Sequence, residues 1–387
     1  MNIINTNYPS IDDLRKKSKR RIPKFAFEYL DGGCNEDINL TKNTNEIRNI
    51  ELRPIYLQDF KQVDLCLTLF GHTYNAPFGI APVGLQGLIW PGATEILAKA
   101  AHANNIPFIL STVTTSSIER IAEVTNGSMW FQLYHPTDAD ITEDILLRLE
   151  AVGVDVLVVL CDVPSFGYRP RDIRNGLAMP PKMTVNNILQ TLAHPLWSFE
   201  TLLHGIPDFA TMKKYMPKGL SMKQLGLYMN KTFSGRMNSE KLKWLRDRWK
   251  GKLVMKGVAS VEDAIMCIDL NLDGIIVSNH GGRQLDAGQS SIGSFPAILE
   301  AVKGKLVVMI DSGFQSGPDI ARGLAYGADF IFLGRSFMYG VAALGKTGGY
   351  HTISILKAQL QQVMEQIGCK NVQSLPLHLV VDEKKCS

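Results

Sequence analysis

The chain has 387 residues, 45% of them apolar and 20% charged, enough for a full core in one large domain or two ordinary ones. A formal charge of +4, spread along the chain, argues against nucleic acid as the main partner, and no stretch couples basic residues to a long apolar run, so neither a signal peptide nor a spanning helix is predicted. Six cysteines (Cys34, Cys66, Cys161, Cys267, Cys369 and Cys386) lie far apart without metal-ligand or redox-pair spacing, which predicts reduced structural thiols, no metal site and a cytoplasmic enzyme.

In chain order, the first 75 residues form a prelude, with a helical pattern in "IDDLRKKSKRRIPKFAFEYLDGG" and a strand-like stretch after it. Eight short apolar runs follow: "FGIAP" (78–82), "FILST" (108–112), "WFQLY" (130–134), "VLVVLCD" (156–162), "LVMKG" (253–257), "GIIVSN" (274–279), "VVMIDSG" (307–313) and "FIFLGR" (330–335). Too apolar to alternate, they predict strands buried on both faces. Amphipathic helical patterns lie between most of them, at 91–105, 116–127, 260–272 and 317–329, several opening on Ser, Thr or Pro. Strand and helix alternating eight times predict an α/β fold, a (β/α)8 TIM barrel with an N-terminal extension and a long insertion after the fourth strand. An open doubly wound sheet is the alternative, and the absence of GxGxxG after the first strand counts against it. The expected organisation is one domain, 1–387: an N-terminal segment 1–75, a barrel from 76–180 and 251–360, an insertion 181–250 and a tail 361–387.

The insertion is locally basic, with twelve lysines and arginines against four acidic residues between 181 and 250. A long irregular excursion of this kind reads first as a solvated lid over the barrel mouth. A second reading takes "LWSFETLLHG" and its neighbouring lysines as a patch for an anionic membrane surface.

Chemistry in such a barrel gathers at the carboxyl ends of the strands, where the loops converge over one mouth. The polar residues here stand at those ends: Tyr134, Asp162, Lys256, His280 with Arg283, Asp311 with Gly313, and Gly334 with Arg335. A lone histidine after a strand is ordinarily a satisfied loop residue; so many charged or phenolic groups on one rim reverse that expectation. His280 is suited to act as general base, with Asp162 fixing its tautomer. Arg283 offers a planar fork for a carboxylate, so the predicted substrate is a small acid. Gly281 and Gly282 let the chain turn sharply beside a ligand. The glycine turns "DSGFQSGPD" (311–319) and "LGRS" (333–336) lead into helices and suit a phosphate; with Lys256 opposite, a flavin mononucleotide fits.

These residues resemble the flavin-dependent L-2-hydroxy acid dehydrogenases and oxidases, the family of L-lactate dehydrogenase, glycolate oxidase and mandelate dehydrogenase. "SNHGGRQLD" (278–286) resembles the family's active-site signature, and "PKFAFEYLDGG", "IAPVGLQGL", "WFQLY", "RPRDIRNG", "VMKGV" and "DSGFQSG" follow the family's order over nearly the whole chain. The resemblance implies FMN as cofactor and oxidation of an L-2-hydroxy acid to the 2-oxo acid. It implies that His280 takes the proton, paired with Asp162, while Arg283, Arg169 and Tyr29 hold the carboxylate and Tyr134 bonds the reacting oxygen. The backbone of Val83 and Gly84, with Ser111, Gln132, Lys256 and Ser278, would hold the flavin ring. Asp311 would hold the ribityl chain, and Gly313, Gln315, Gly334 and Arg335 the phosphate end. A homotetramer is implied as well.

Some positions depart from the family pattern. Gln315 stands where many members carry arginine, Leu160 where a flavin-facing threonine is common, and "GYRPRD" where "GRRERD" is typical. Val113 lines the substrate side chain in relatives, which suggests room for more than glycolate without naming the substrate. The stretch 183–205 resembles the branch that passes electrons to quinone at a membrane, which places the expected protein in the cytoplasm or on the inner face of the membrane. A cytochrome is the alternative acceptor to quinone. The alternatives are an oxidase that reduces O2 to H2O2, a flavin-free barrel acting on sugar phosphates, and a non-catalytic flavin-binding scaffold.

Overall fold

The computed structural model describes residues 4–177, 182–205, 207–217, 219–220, 222–233 and 235–380. Residues 178–181 and 381–387, at the start of the insertion and the end of the tail, lie outside the described residues, as does Cys386. The other five cysteines are free thiols.

Two strands, β1 (Leu67–Leu69) and β2 (His72–Tyr74), form an antiparallel hairpin. The eight apolar runs then become β3 (Phe78–Ile80), β4 (Ile109–Ser111), β5 (Trp130–Leu133), β6 (Val156–Leu160), β7 (Lys252–Val258), β8 (Gly274–Val277), β9 (Val307–Ile310) and β10 (Phe330–Leu333). Their order in the sheet is β3-β10-β9-β8-β7-β6-β5-β4, every neighbouring pair parallel. A parallel bridge between Ile80 and Phe108 joins β3 to the start of β4 and closes the ring. The eight-stranded TIM barrel is therefore present. Full apolar runs were needed because each strand packs helices on one side and the barrel interior on the other.

The interior is filled by Ile109, Trp130, Val158, Ile276, Phe330 and Phe332 with their neighbours. The hairpin belongs to this same cluster through Leu69 and Tyr74. Phe70 packs on Trp130 at 5.7 Å between ring centroids, and Tyr74 on Phe330 at 5.9 Å. The Trp130 indole N–H donates to Tyr74 Oη at 3.2 Å, so the hairpin plugs the amino-terminal end of the barrel and leaves the other end for ligands.

The prelude differs from the single helical stretch suggested by its pattern. Two helices, Ile11–Arg21 and Lys24–Asp31, are separated at Ile22 and Pro23, because the residue before proline is driven to extended backbone; Ile22 has φ −116° and ψ 155°. A third helix, Ile38–Arg48, has mixed polarity and left no clear signal in the sequence, yet it borders the functional end. At the far end one helix, Gly348–Ile367, runs through the boundary expected at 360.

The insertion contains the helices Val185–Ala193, Pro195–His204, Met222–Thr232 and Ser239–Arg248. The first two are fixed to the body by a few groups. Trp197 is buried edge-on against Phe25 and donates to the Ile89 carbonyl at 3.1 Å, while Asn187 Nδ2 donates to the Asn175 carbonyl at 2.9 Å. Their other faces present Leu189, Leu192, Leu196, Phe199, Leu202 and Leu203 to solvent, with Leu192 71% and Leu202 82% exposed.

Candidate active site

The carboxyl ends of the strands surround a cavity of about 500 Å³, a size usual for small-molecule and cofactor sites. The loop after β8 carries His280, Gly281 and Gly282, all with positive φ. Glycine is required at both later positions: a Cβ on Gly282 would lie 2.5 Å from the Leu40 backbone nitrogen, and one on Gly281 2.6 Å from Arg335 Nη1.

Nδ1 of His280 lies 3.2 Å from each carboxylate oxygen of Asp162. An Nδ1–H turned toward that carboxylate leaves the Nε2 lone pair facing the cavity. Tyr134 Oη stands 3.5 Å from Nε2, and Phe233 packs edge-on against the Tyr134 ring at 5.7 Å. Burial, with the Asp162 charge nearby, pushes the Tyr134 phenol far up, so it is a neutral donor. Burial alone would raise the Asp162 carboxyl, but His280 and Lys256 beside it hold it below the ordinary carboxylate range. Its charge is thus retained beside the His280 ring.

Arg283 and Arg169 form a second group. Arg283 Nη1 donates to the Tyr29 carbonyl at 2.6 Å and the Gly32 carbonyl at 2.9 Å, and its guanidinium lies over the Tyr29 ring at 4.9 Å. Arg169 donates through Nε to the Arg283 carbonyl at 3.3 Å and through Nη2 to Gln284 Oε1 at 3.2 Å. Burial pushes Arg283 down to about 10, and the Arg169 charge acts in the same direction. At neutral pH it keeps its proton. Among the described residues, the carboxylate that pairs with both arginines is Asp172, 3.7 Å from Arg169 and 3.9 Å from Arg283, and burial raises its pKa despite them. Two cations therefore face the cavity against one acid that stands 3.7 and 3.9 Å from them, an arrangement that leaves room for a ligand carboxylate.

Opposite them, Lys256 is 3% exposed, paired to Asp311 at 2.7 Å and donating to Ser278 Oγ at 2.8 Å. Burial lowers its pKa, but Asp311 and Asp162 outweigh that and raise it. Ser111 donates to Gln132 Oε1 at 2.8 Å, and Gln132 Nε2 is buried without a partner. An orphaned buried donor of this kind awaits an acceptor. Val83, Gly84, Gly313, Gln315 and Gly334 line the same cavity. Gly84 packs against Val113, where a Cβ would lie 2.9 Å from Val113 Cγ2, so a glycine lets the two loops meet at the cavity wall. Gly334 precedes the helix Arg335–Leu344 with no side-chain cap, leaving first-turn N–H groups for an anion. Donors to a ring at one end and free backbone N–H groups at the other fit FMN.

Arg335 is the residue whose place differs most from expectation. Its guanidinium donates to the carbonyls of Leu30, Gly281 and Gly32 at 3.0, 3.0 and 2.9 Å, tying the histidine loop to the prelude. Those bonds leave its backbone N–H, more than its cation, to meet a phosphate. Gln315 is also partly engaged, its Nε2 3.5 Å from Thr44 Oγ1. Leu160 borders a separate cavity of about 30 Å³ with His135 and Cys161, divided from the main one by Tyr134 and Phe233, which line both. Asp172, Phe233 and Ser312, which lines the cavity and whose Oγ accepts the Gly281 N–H at 2.9 Å, were missed. Asp172 could have been found from its three-residue spacing to Arg169 inside "RPRD"; Phe233 lies 99 positions from the tyrosine it touches, with no local signal.

Residues 18–382 match the family of FMN-dependent dehydrogenases. The L-lactate dehydrogenase of Ectopseudomonas mendocina (strain ymp) is 37% identical over 373 residues, 96% of this chain and 98% of that protein. The (S)-mandelate dehydrogenase of Pseudomonas putida is 37% identical over 370 residues, 95% of this chain and 93% of that protein. Among solved structures, a monotopic membrane protein, (S)-mandelate dehydrogenase, superposes with a TM-score of 0.91 at 36% identity, covering 99% of this chain and all of that one. A mandelate oxidase superposes with a TM-score of 0.83 at 28% identity, covering 97% of this chain and 98% of that one. The chain belongs to the FMN-dependent dehydrogenases, as an enzyme that uses FMN to oxidise L-2-hydroxy acids.

Proposed function

We propose that the enzyme is a membrane-attached dehydrogenase in which His280 is the general base and the substrate is an L-2-hydroxy acid with an apolar side chain larger than methyl. The observation that carries the reading is the buried surplus of positive charge from Arg283 and Arg169 beside a His280–Asp162 pair with its Nε2 toward the same cavity. The arginines hold the substrate carboxylate and Tyr134 hydrogen-bonds the hydroxyl oxygen. That oxygen then stands within reach of Nε2, which accepts the hydroxyl proton, and Asp162 stabilises the resulting imidazolium. The chemistry FMN supplies when bound is acceptance of the carbinol hydrogen together with the electron pair of its C–H bond, so that loss of the hydroxyl proton to Nε2 completes the 2-oxo acid. Lys256, Ser278, Ser111, Gln132 and the backbone of Val83 and Gly84 would hold its ring, Asp311 its ribityl chain, and backbone N–H groups of Gly313, Gly334 and Arg335 its phosphate. Lys256 offers a fixed positive charge where a reduced ring becomes negative.

Val113, Leu177, Phe209, Met229 and Phe233 form an apolar wall on the cavity, which supports a sizeable apolar side chain. Each extra methylene buried there changes discrimination by about 1–3 kcal/mol. The exposed apolar face of the helices Val185–Ala193 and Pro195–His204 supports attachment to a membrane surface, and a lipid-soluble quinone as acceptor follows from that position. Among the described residues no helix is long and apolar enough to cross a membrane.

Anaerobic mixing with L-2-hydroxy acids of graded side-chain size tests the assignment. The visible flavin band bleaches fastest with larger apolar acids, and His280→Gln slows bleaching by about 10²–10⁴-fold with FMN retained. Near-normal bleaching by His280→Gln removes the base assignment; fastest bleaching with glycolate removes the substrate assignment. Faster re-oxidation by O2 than by a quinone analogue would make the enzyme an oxidase.

A further inference from the structure

The loop that carries His280 stands in a conformation that one of its residues resists. His280, Gly281 and Gly282 follow one another with φ of 59°, 66° and 72°. Glycine enters this left-handed region freely, whereas a histidine does so at a cost, so contacts outside the loop must hold it there. Ser312 Oγ accepts the Gly281 N–H at 2.9 Å and Arg335 Nη1 donates to the Gly281 carbonyl at 3.0 Å, while two asparagines hold the turn at Gly282. Asn279 Oδ1 accepts the Gly282 N–H at 3.1 Å and Asn43 Nδ2 at 2.9 Å, while Asn279 Nδ2 donates back to Asn43 Oδ1 at 2.8 Å. Asn43 is 1% exposed, and its oxygen also accepts the Ser291 N–H at 3.1 Å. Asn39 Oδ1 and the Gln289 carbonyl, each at 3.2 Å, take further bonds from Asn279 Nδ2. Neither Asn43 nor Asn279 lines the cavity.

The carboxylate clamp on the same loop is anchored differently. Arg283 is held by the Tyr29 and Gly32 carbonyls, which belong to the prelude before the helix that carries Asn43. Loss of the amide pair therefore loosens the turn behind the imidazole, which keeps its bonds to Ser278 and Asp162, and leaves the clamp in place.

We propose that the reciprocal amide pair of Asn43 and Asn279 is the positioning device for His280, so that the helix Ile38–Arg48, lying outside the barrel strands, sets the aim of the base toward Asp162 and the substrate hydroxyl. The inference rests on the reading of His280 as general base. Misplacement of a reacting group by about 1 Å can cost about 10²-fold in rate.

The test uses the FMN-loaded full chain and flavin reduction under anaerobic conditions. Asn43→Ala lowers the limiting reduction rate by about 10²-fold, with KM changed by less than about threefold because Arg283 keeps its own anchors. In a His280→Gln background the same substitution produces no further loss, since no imidazole is left to aim. An equal loss in both backgrounds, or a rise in KM matching the fall in rate, overturns the proposal and makes the pair a general structural element. Normal turnover of Asn43→Ala beside a crippled His280→Gln overturns this proposal alone; normal turnover of His280→Gln overturns the base assignment and this proposal with it. If Asn43→Ala does not fold, Asn43→Asp retains the acceptor for Asn279 and Ser291 and removes the donor to Asn279 Oδ1. Its expected loss is about tenfold, equally confined to the background with His280 present.

Discussion

At the scale of residues, the site is organised by unequal charge. Arg283 and Arg169 share Asp172 at distances of 3.9 and 3.7 Å, too long for either to be neutralised well. An ammonium in place of a guanidinium cannot reproduce the bonds to the Tyr29 and Gly32 carbonyls together with a bidentate grip on a ligand. Arg283→Lys is therefore expected to raise KM for the hydroxy acid by at least about tenfold, one charge-assisted bond of about 1.5–3 kcal/mol, with FMN content unchanged. Steady-state kinetics with flavin absorbance checks both. The catalytic types were legible in "SNHGGRQLD", because histidine, glycine pair and arginine are chemically conspicuous side by side. The engagement of Arg335 with three carbonyls was hidden, since those carbonyls come from Leu30, Gly32 and Gly281, and a backbone oxygen leaves no mark on residue identity.

At the scale of elements, the insertion combines a fixed face and a free one. Trp197, Asn187 and Gln190 fasten the helices Val185–Ala193 and Pro195–His204, with Gln190 Oε1 accepting the Phe25 N–H at 3.0 Å. Among the described residues nothing buries the leucines opposite, and so large an apolar face marks a contact surface. Each such side chain contributes about 1.5–3 kcal/mol when fully withdrawn from water, and somewhat less at a lipid interface. Replacing Leu192, Phe199 and Leu202 together by serine is expected to move the protein from the pellet to the supernatant when it is sedimented with anionic vesicles. Turnover of a soluble substrate with a soluble acceptor should stay unchanged. The basic excess of 181–250 was readable as a membrane patch or a solvated lid, and the exposed leucine face supports the former for 185–204. Helix Ile38–Arg48 escaped notice because its buried positions include Asn39 and Asn43, so its inner face lacks the apolar period by which helices are read.

At the scale of the whole molecule, one end of the barrel is closed so that the other can be open. Trp130 belongs to the interior cluster with Phe332 and the hairpin, at 5.4 Å from Phe332 and 5.7 Å from Phe70. Trp130→Ala is expected to cost about 3–5 kcal/mol of stability, read by denaturant unfolding of the FMN-loaded protein, because the rigid wall cannot collapse into the space. The sequence by itself determined the eight strands, their parallel class and the residue types at their carboxyl ends, since strand burial and turn chemistry are local properties written in runs of a few residues. Tertiary structure alone decided the hairpin plug, the asparagine support under His280 and the exposed leucine face. These depend on which distant segments meet, and each partner is unremarkable until the other is beside it.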